Sequence, residues 1–187
     1  MTRFFGSALA MALVIAACSD PNALANATLS NVEDTLTLYS LATGPLTEPS
    51  AYSISTARAV RTWEVGIDFD FAFSVDNSGR PVLLTVSVLG LAPSGSVKPG
   101  LLRTSTAFDS MTRAPLNGYL TTDTIAIADR DRFYLRTGVT TCSVLGVPLY
   151  GKLEVIHYDP ANASVQIRAV ANQNCGYRSL QLGTPKR

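Results

Sequence analysis

The chain has 187 residues, with 15 Lys and Arg side chains against 14 Asp and Glu, one His and three Cys. Residues 1–17 contain thirteen apolar side chains and the single charge of Arg3, so the other 170 residues carry 14 basic and 14 acidic groups. Neutrality argues against a nucleic-acid-binding protein, which needs a clustered excess of Lys and Arg. It also argues against an acidic disordered chain. About 170 residues suffice for one domain with a stable core.

The N-terminus has the pattern of an export signal. Arg3 precedes an apolar run over residues 7–17, which is shorter than the roughly 20 residues of a spanning helix. The run ends in Ile15-Ala16-Ala17-Cys18, which resembles the lipobox of bacterial lipoproteins. The resemblance implies that residues 1–17 are removed and that acyl chains on Cys18 anchor the protein in the cell envelope. The alternative is an ordinary signal peptide cut nearby, with Cys18 incidental.

The residues after Cys18 suggest an address and a tether. Ser19 stands where enterobacterial lipoproteins retained in the inner membrane have Asp, which favours the outer membrane, on its periplasmic or surface face. Residues 19–30 are small, polar and without periodicity, as in a flexible linker. The predicted organisation is therefore a signal peptide over 1–17, a lipidated Cys and flexible tether over 18–30, and one domain over 31–187.

The domain is predicted to be all-β. The clearest segment is residues 63–75, where apolar side chains from Trp63 to Val75 alternate with polar or small ones, as in a strand with one buried face. Turn formers at 76–79 suggest a hairpin. The other predicted strands are residues 34–41, 51–60, 81–89, 118–128, 132–139, 149–158 and 164–171. Residues 94–115 are predicted to be a long loop or an edge element. This spacing favours an antiparallel β-sandwich or a partly open barrel.

Cys142 and Cys175 remain as a pair if Cys18 is lipidated, and an oxidising compartment favours a disulfide. They lie almost symmetrically about the turn formers at 159–162, which join the strands 149–158 and 164–171. A hairpin folded at that turn would bring both thiols to its open end. The rival interpretations are metal ligands or a Cys nucleophile acting with His157, and neither has supporting spacing.

Paired acidic residues are the strongest hint of a charged site. Asp68 and Asp70 share one face of the predicted strand, so they could form a carboxylate pair or a cation site. We expect them instead to be solvated on its polar face. Asp129 and Asp131 alternate with two arginines and suggest a self-balancing hairpin end. No metal site is predicted.

Two short patches carry a family resemblance. They are Thr62-Trp63 through Asp70-Phe71-Ala72-Phe73, and Phe133-Tyr134-Leu135-Arg136-Thr137 followed by Tyr150-Gly151-Lys152-Leu153-Glu154-Val155. Together they resemble motifs of the HmuY-like β-rich lipoproteins. The chain departs from the family's pattern in the separation of Trp63 from Asp70 and in the long segment between Thr137 and Tyr150. The resemblance implies a secreted, lipid-anchored, all-β binding protein, which in some members scavenges haem.

Haem binding would need axial ligands, normally His, Met, Cys or Tyr. The mature chain offers one His, His157, and one Met, Met111, so a bis-His site within one protomer is impossible. His157 is in phase with Leu149, Leu153 and Val155, which predicts a core-facing histidine, and Met111 is predicted to make an ordinary loop contact. Both are weak ligand candidates, and no cofactor is expected on other grounds.

No catalytic motif supports an enzyme: the sequence lacks a nucleophile elbow, a zinc-protease helix, a phosphate loop and a dinucleotide fingerprint. We therefore expect a non-enzymatic, membrane-anchored binding module for a small hydrophobic ligand or an envelope partner. The alternative is a structural or assembly lipoprotein of the outer membrane without a small-molecule ligand. A deep apolar pocket would favour a ligand, whereas an exposed apolar patch or an open edge strand would favour a structural role.

Overall fold

The computed structural model describes residues 24–66, 68–91, 97–138, 142 and 146–186. They form two antiparallel five-stranded sheets, which confirms the all-β prediction and its sandwich form. The elements in chain order are β1 Glu33–Tyr39, β2 Ala51–Ser53, β3 Arg58–Val60, α1 Thr62–Val65, β4 Phe71–Val75, β5 Pro81–Thr85, β6 Gly100–Thr104, a 3₁₀ turn Phe108–Ser110, β7 Thr124–Ala126, β8 Arg132–Arg136, β9 Tyr150–Asp159 and β10 Ser164–Asn172.

The two sheets differ in strand length. The larger sheet has the order β1-β10-β9-β8-β6, and its central pair β9 and β10 holds the longest strands. The smaller sheet has the order β3-β2-β4-β5-β7. Every pairing within the two sheets is antiparallel, as hairpin connections require.

The space between the sheets is filled by apolar side chains. Alternate residues of the strands point inward because side chains in a strand alternate between faces. Those with 2% exposure or less include Leu38, Tyr52, Phe71, Phe73, Leu83, Leu101, Phe133, Leu135, Leu153, Val155, Val165 and Ile167. Burial of this set is the main stabilising contribution to the sandwich, at roughly 1.5–3 kcal/mol for each large side chain.

The predicted strand over 63–75 is wrong in its first half. Residues 62–65 form the short helix α1, and only Phe71–Val75 is strand. The amide groups of Glu64 and Val65 donate to the carbonyl of Arg61, so this segment satisfies its hydrogen bonds locally. Gly66, at φ +60, ends the helix. The alternation seen in the sequence therefore spans two different elements.

Other predicted strands keep their positions with changed lengths. The segment 51–60 is a hairpin of β2 and β3, turned at Ala57 with a φ of 53°. The segments 81–89, 118–128 and 132–139 contain the shorter strands β5, β7 and β8. The segment 94–115, predicted to be a long loop or an edge element, contains the edge strand β6.

The register defines two ends of the sandwich. At one end, which we call the near end, Glu33 of β1 pairs with Val170, and the last residue of β10 pairs with Tyr150. Residues 24–31 lie here, because Asn31 bridges to Gly183 and residues 28 and 29 bond to Asn174. The opposite, far end holds Tyr39 and the turns at 76–79 and 159–163.

Candidate functional site

Cys142 and Cys175 form a disulfide at the near end, as the sequence predicted. Their Cα atoms are 5.8 Å apart, a normal separation for a bonded pair. The hairpin of β9 and β10 turns at the far end, so its open end lies where the two cysteines meet. Cys142 is buried and Cys175 packs against the core. The disulfide is therefore part of the packed structure at the near end. Cys18 lies outside the described residues.

His157 does not face the core, contrary to the prediction. The pairing of β9 with β10 slips between Gln166 and Ile167, so one extra residue of β9 is accommodated there. Such a bulge reverses the side-chain phase beyond it. The His157 side chain is 63% exposed, and its Nδ1 lies 3.1 Å from Asp129 Oδ2. The imidazole hydrogen bond is the main cause that lowers the pKa of Asp129.

Met111 is a core residue rather than the predicted loop contact. It is fully buried on the outer face of the larger sheet, where it packs with Phe108 and Val170. Val170 pairs with Glu33 at the near end, whereas His157 lies beyond the bulge toward the far end. The structure thus does not bring together the two weak candidates for haem ligation.

Asp70 is buried, which corrects the prediction of a solvated pair with Asp68. Its Oδ2 accepts a 2.7 Å hydrogen bond from the amide of Ile54, and its own amide donates to the carbonyl of Tyr52. Asp68 is exposed and is not bonded to it as a carboxylate pair would be. Burial is the main cause that raises the pKa of Asp70 to about 7, and the charge of Asp68 adds to it.

The outer face of the larger sheet carries a cross-strand ion cluster that the sequence did not predict. Glu154 lies between Arg132 and Arg168 in the register of β8, β9 and β10. Its two oxygens accept hydrogen bonds of 2.6 and 2.7 Å from the Nε atoms of these arginines. The buried charge is fully paired, so this cluster has a structural explanation. Only the register, which requires the folded sheet, aligns the three residues.

Lys152 lies one register step nearer to the near end and is also buried. Its Nζ donates a 2.9 Å hydrogen bond to the carbonyl of Phe108 and sits 4.4 Å from the centre of that ring. Burial lowers the pKa of Lys152, while Asp109 and Glu33 act in the opposite direction. This amine holds the 3₁₀ turn against the sheet.

Trp63 and Leu46 form an exposed apolar surface at the far end. The Trp63 side chain is 65% exposed and Leu46 is 80% exposed. Trp63 Nε1 donates a 3.0 Å hydrogen bond to the carbonyl of Leu46, and the Arg61 guanidinium lies 5.5 Å from the ring centre. Arg61 is held in turn by Glu64. We call these four residues, Leu46, Arg61, Trp63 and Glu64, the far-end surface.

A shallow cavity adjoins the far-end surface. It has a volume of about 310 Å³ and is lined by Thr47, Pro49, Ala59, Val60, Arg61, Glu64 and Val65. The cavity is open, and it lies between the loop that carries Leu46 and the helix that carries Trp63. The sequence placed Trp63 on a buried strand face, and only its position in α1 turns it toward solvent.

Part of the predicted flexible tether is bound to the domain. The side chain of Asn174 accepts hydrogen bonds from the amides of Thr28 and Leu29 and donates to the carbonyl of Leu29. Tyr177 Oη donates to the carbonyl of Ala25 at 3.0 Å. Residues 24–30 therefore lie along the near end. There the side-chain amide of Asn174 makes the hydrogen bonds that the backbone of a free tether would make with water.

A basic groove lies beside this bound segment. Two open cavities of about 440 and 190 Å³ share Arg113, Ser179 and Lys186 in their lining. The smaller one is also lined by Leu24 and Arg178. None of the described residues that line these two cavities is acidic. We call the joined cavities the basic groove.

Two general features complete the description of the site. Among the described residues, no group of three or more His, Cys, Asp or Glu side chains is placed to hold a metal ion. Within the same ranges, the helices are too short and too polar to cross a membrane. The chain matches no protein-family model, no curated protein and no solved structure.

Proposed function

We propose that this chain is a non-enzymatic envelope lipoprotein, anchored through Cys18 in the outer membrane, which binds a partner protein of the envelope through its far-end surface. The observation that carries the proposal is Trp63, which is 65% exposed but held in place by its hydrogen bond to Leu46. Trp and Arg are the residue types that most often dominate binding at protein interfaces. A side chain fixed before binding loses little entropy on association.

The filled interior argues for a partner protein over a small hydrophobic ligand. A binding site for such a ligand is a concave, mostly apolar pocket that encloses most of its surface. In this sandwich, Phe71, Phe73 and Phe133 lie between the sheets with no exposure. The three cavities described above are open depressions, and each is lined in part by polar or charged side chains. The far-end surface combines two exposed apolar side chains, Leu46 and Trp63, with the ion pair of Arg61 and Glu64, which suits docking against another protein.

The position of the anchor supports this orientation. Leu24 lies six positions after Cys18, and a fully extended chain over that interval spans about 20 Å. Leu24 lies at the near end, where it lines the basic groove. A lipid on Cys18 would hold the near end close to the membrane and leave the far end directed away from it.

The anchor is tested by Cys18→Ser. In cells fed an alkyne analogue of palmitate, the wild-type chain is expected to incorporate the label and to fractionate with membranes. The variant is expected to lose both properties, since one thiol is the attachment point. Cys175→Ser serves as the matched control, because it removes a cysteine without touching the lipobox. Labelling of the Cys18→Ser chain, or a membrane-bound wild-type chain without label, would contradict the anchor.

The far-end surface is tested by site-specific photocrosslinking in intact cells. A benzoylphenylalanine residue at Glu48, an exposed position two residues after Leu46, is expected to yield one discrete crosslinked product. Trp63→Ala in the same chain is expected to reduce its yield at least tenfold, because truncation of an interface tryptophan often costs 2 kcal/mol or more.

Two controls make this experiment decisive. The crosslinker at Asn117, an exposed position next to Leu116, should not yield that product, because the carbonyl of Leu116 accepts a hydrogen bond from Arg136 at the near end of β8. Leu116→Ala removes another exposed apolar side chain, 56% exposed, and should leave the yield unchanged. Equal yield with Trp63→Ala would overturn the far-end surface as a docking site. Absence of any product would overturn docking of a partner at this surface and would favour the alternative, a structural or assembly lipoprotein of the outer membrane without a small-molecule ligand.

A further inference from the structure

We propose that the near end is a second interaction surface, which binds an anionic lipid bilayer through the basic groove and the apolar side chains beside it. The proposal uses the orientation given by the lipid anchor and so depends on the proposed function for its biological setting. The surface itself is a property of the folded domain, and it can be tested without the anchor.

Charge is the first argument. Arg113 and Lys186 are exposed, and neither has an acidic partner within 4.0 Å among the described residues. Arg178 lines the same groove and is fixed by a 2.7 Å hydrogen bond from its Nε to the carbonyl of Ala114. Glu33 and Asp109 line a cavity that adjoins the groove, but each pairs with Arg168 at 3.6 Å. The groove therefore keeps a local excess of positive charge in a neutral domain, which is complementary to lipid phosphate groups.

Exposed apolar side chains are the second argument. Leu182 is 62% exposed and lines the groove together with Arg113 and Lys186. Val32 is 68% exposed and follows Asn31, which bridges to Gly183 next to Leu182. Cationic groups beside apolar ones are the combination that binds at the headgroup boundary of a bilayer, because each contacts a different layer of the lipid.

The path of the chain is the third argument. Leu24 lines the basic groove and lies only six positions after Cys18. The bonds of Asn174 and Tyr177 to residues 25, 28 and 29 fix the direction in which the segment leaves the domain. A lipid attached to Cys18 therefore enters the membrane beside the groove, which commits this surface to a bilayer rather than to a soluble partner.

The bilayer contact is tested with vesicles and the mature chain carrying Cys18→Ser, so that no acyl chain contributes. We expect it to cosediment with anionic vesicles of phosphatidylcholine containing about 30% phosphatidylglycerol. It should not cosediment with vesicles of phosphatidylcholine alone. Binding should fall at high salt. Arg113→Gln with Lys186→Gln is expected to weaken partitioning about 25-fold, since each basic residue near an anionic surface contributes roughly a fivefold factor.

Arg80→Gln with Arg130→Gln is the matched control: it removes two exposed positive charges at the far end, so this variant should bind like the parent chain. Equal weakening by both pairs would mean a general charge effect and would overturn the proposal. Equal binding to neutral vesicles, or no binding to anionic ones, would do the same. None of these results bears on the crosslink at the far end, so failure of the two proposals can be told apart.

Tryptophan fluorescence gives an independent measure of orientation. Trp63 is the one tryptophan of the chain and lies at the far end. Brominated lipids in the anionic vesicles should leave its emission unchanged. In the Trp63→Phe background, Leu182→Trp should be strongly quenched, because position 182 lies in the contact surface. Quenching of Trp63 without quenching at position 182 would overturn the assignment of the near end.

Discussion

Removal of the disulfide by Cys142→Ser with Cys175→Ser is expected to lower the free energy of unfolding by about 3–4 kcal/mol. The two residues are 33 positions apart, and the bond closes a loop that contains both β9 and β10. Cross-linking a loop of this length removes conformational entropy from the unfolded chain, whereas the folded hairpin already brings its open ends together. Urea denaturation of both forms at pH 7 measures the difference.

Reduction provides a second route to the same comparison. Wild-type protein unfolded in the presence of a reductant is expected to have the stability of the double serine variant, because both lack the closed loop. Titration of the unfolded, unreduced mature domain should find no reactive thiol at Cys142 or Cys175. Two reactive thiols, or equal denaturation midpoints for the oxidised wild type and the variant, would contradict a structural disulfide.

Asp70→Asn is expected to stabilise the domain at pH 8 by about 2–4 kcal/mol. In the folded protein, burial raises the pKa of Asp70 to about 7, and the neighbouring charge that acts on it is Asp68, another acid. The unfolded chain ionises near the ordinary value of 3.8. An asparagine can keep the 2.7 Å hydrogen bond from the Ile54 amide without carrying a charge.

The pH dependence has a definite sign. Below pH 4 the Asp70 carboxyl is protonated in both states and contributes no difference. As the pH rises from 4 to 7, the unfolded chain loses this proton before the folded protein does, so the free energy of unfolding falls. Above pH 7 both states are ionised and the loss is constant. In Asp70→Asn this fall should disappear, leaving only the contributions of the other groups.

The matched control is Asp68→Asn, which removes an exposed acid two residues earlier in the chain. Thermal or urea denaturation of the three proteins between pH 4 and pH 8 separates the two residues. Asp68→Asn should keep most of the fall between pH 4 and pH 7. An Asp70→Asn domain that loses as much stability over that range as the wild type would contradict the buried, proton-binding carboxyl.

The outcome for the strands follows from what periodicity measures. Strands β4 and β5 lie within predicted segments, and β1, β9 and β10 exceed theirs by one residue at one end, because their side chains alternate and turn formers flank them. Apolar and polar residues alternate equally well at the start of the segment 63–75. There, however, the amides of Glu64 and Val65 bond to the carbonyl of Arg61, and residues 62–65 form α1. Alternation of apolar and polar residues does not show whether a partner strand is available, so it cannot distinguish a strand from a short helical turn.

The errors at His157 and Asp70 have the same origin. The phase of β9 is correct as far as Val155, and the bulge opposite Gln166 and Ile167 then turns His157 to solvent. A bulge depends on the partner strand, which a single segment does not specify. The sequence predicts Asp70 to be exposed, but in the fold it is buried and accepts a hydrogen bond from the amide of Ile54, sixteen residues away. In both cases a long-range contact decides the burial.

The amino-acid sequence by itself determined the all-β class, the hairpin of β9 and β10 and the pairing of Cys142 with Cys175, because alternation, turn formers and cysteine spacing are local properties. It also provided the expectation of a lipid on Cys18. Only the tertiary structure decided that Trp63 lies at the far end, that Arg113 and Lys186 line one groove, and that Leu24 meets that groove. These placements depend on strand register and on contacts between segments far apart in the sequence. Such contacts form, and stabilise the protein, only when the chain is folded.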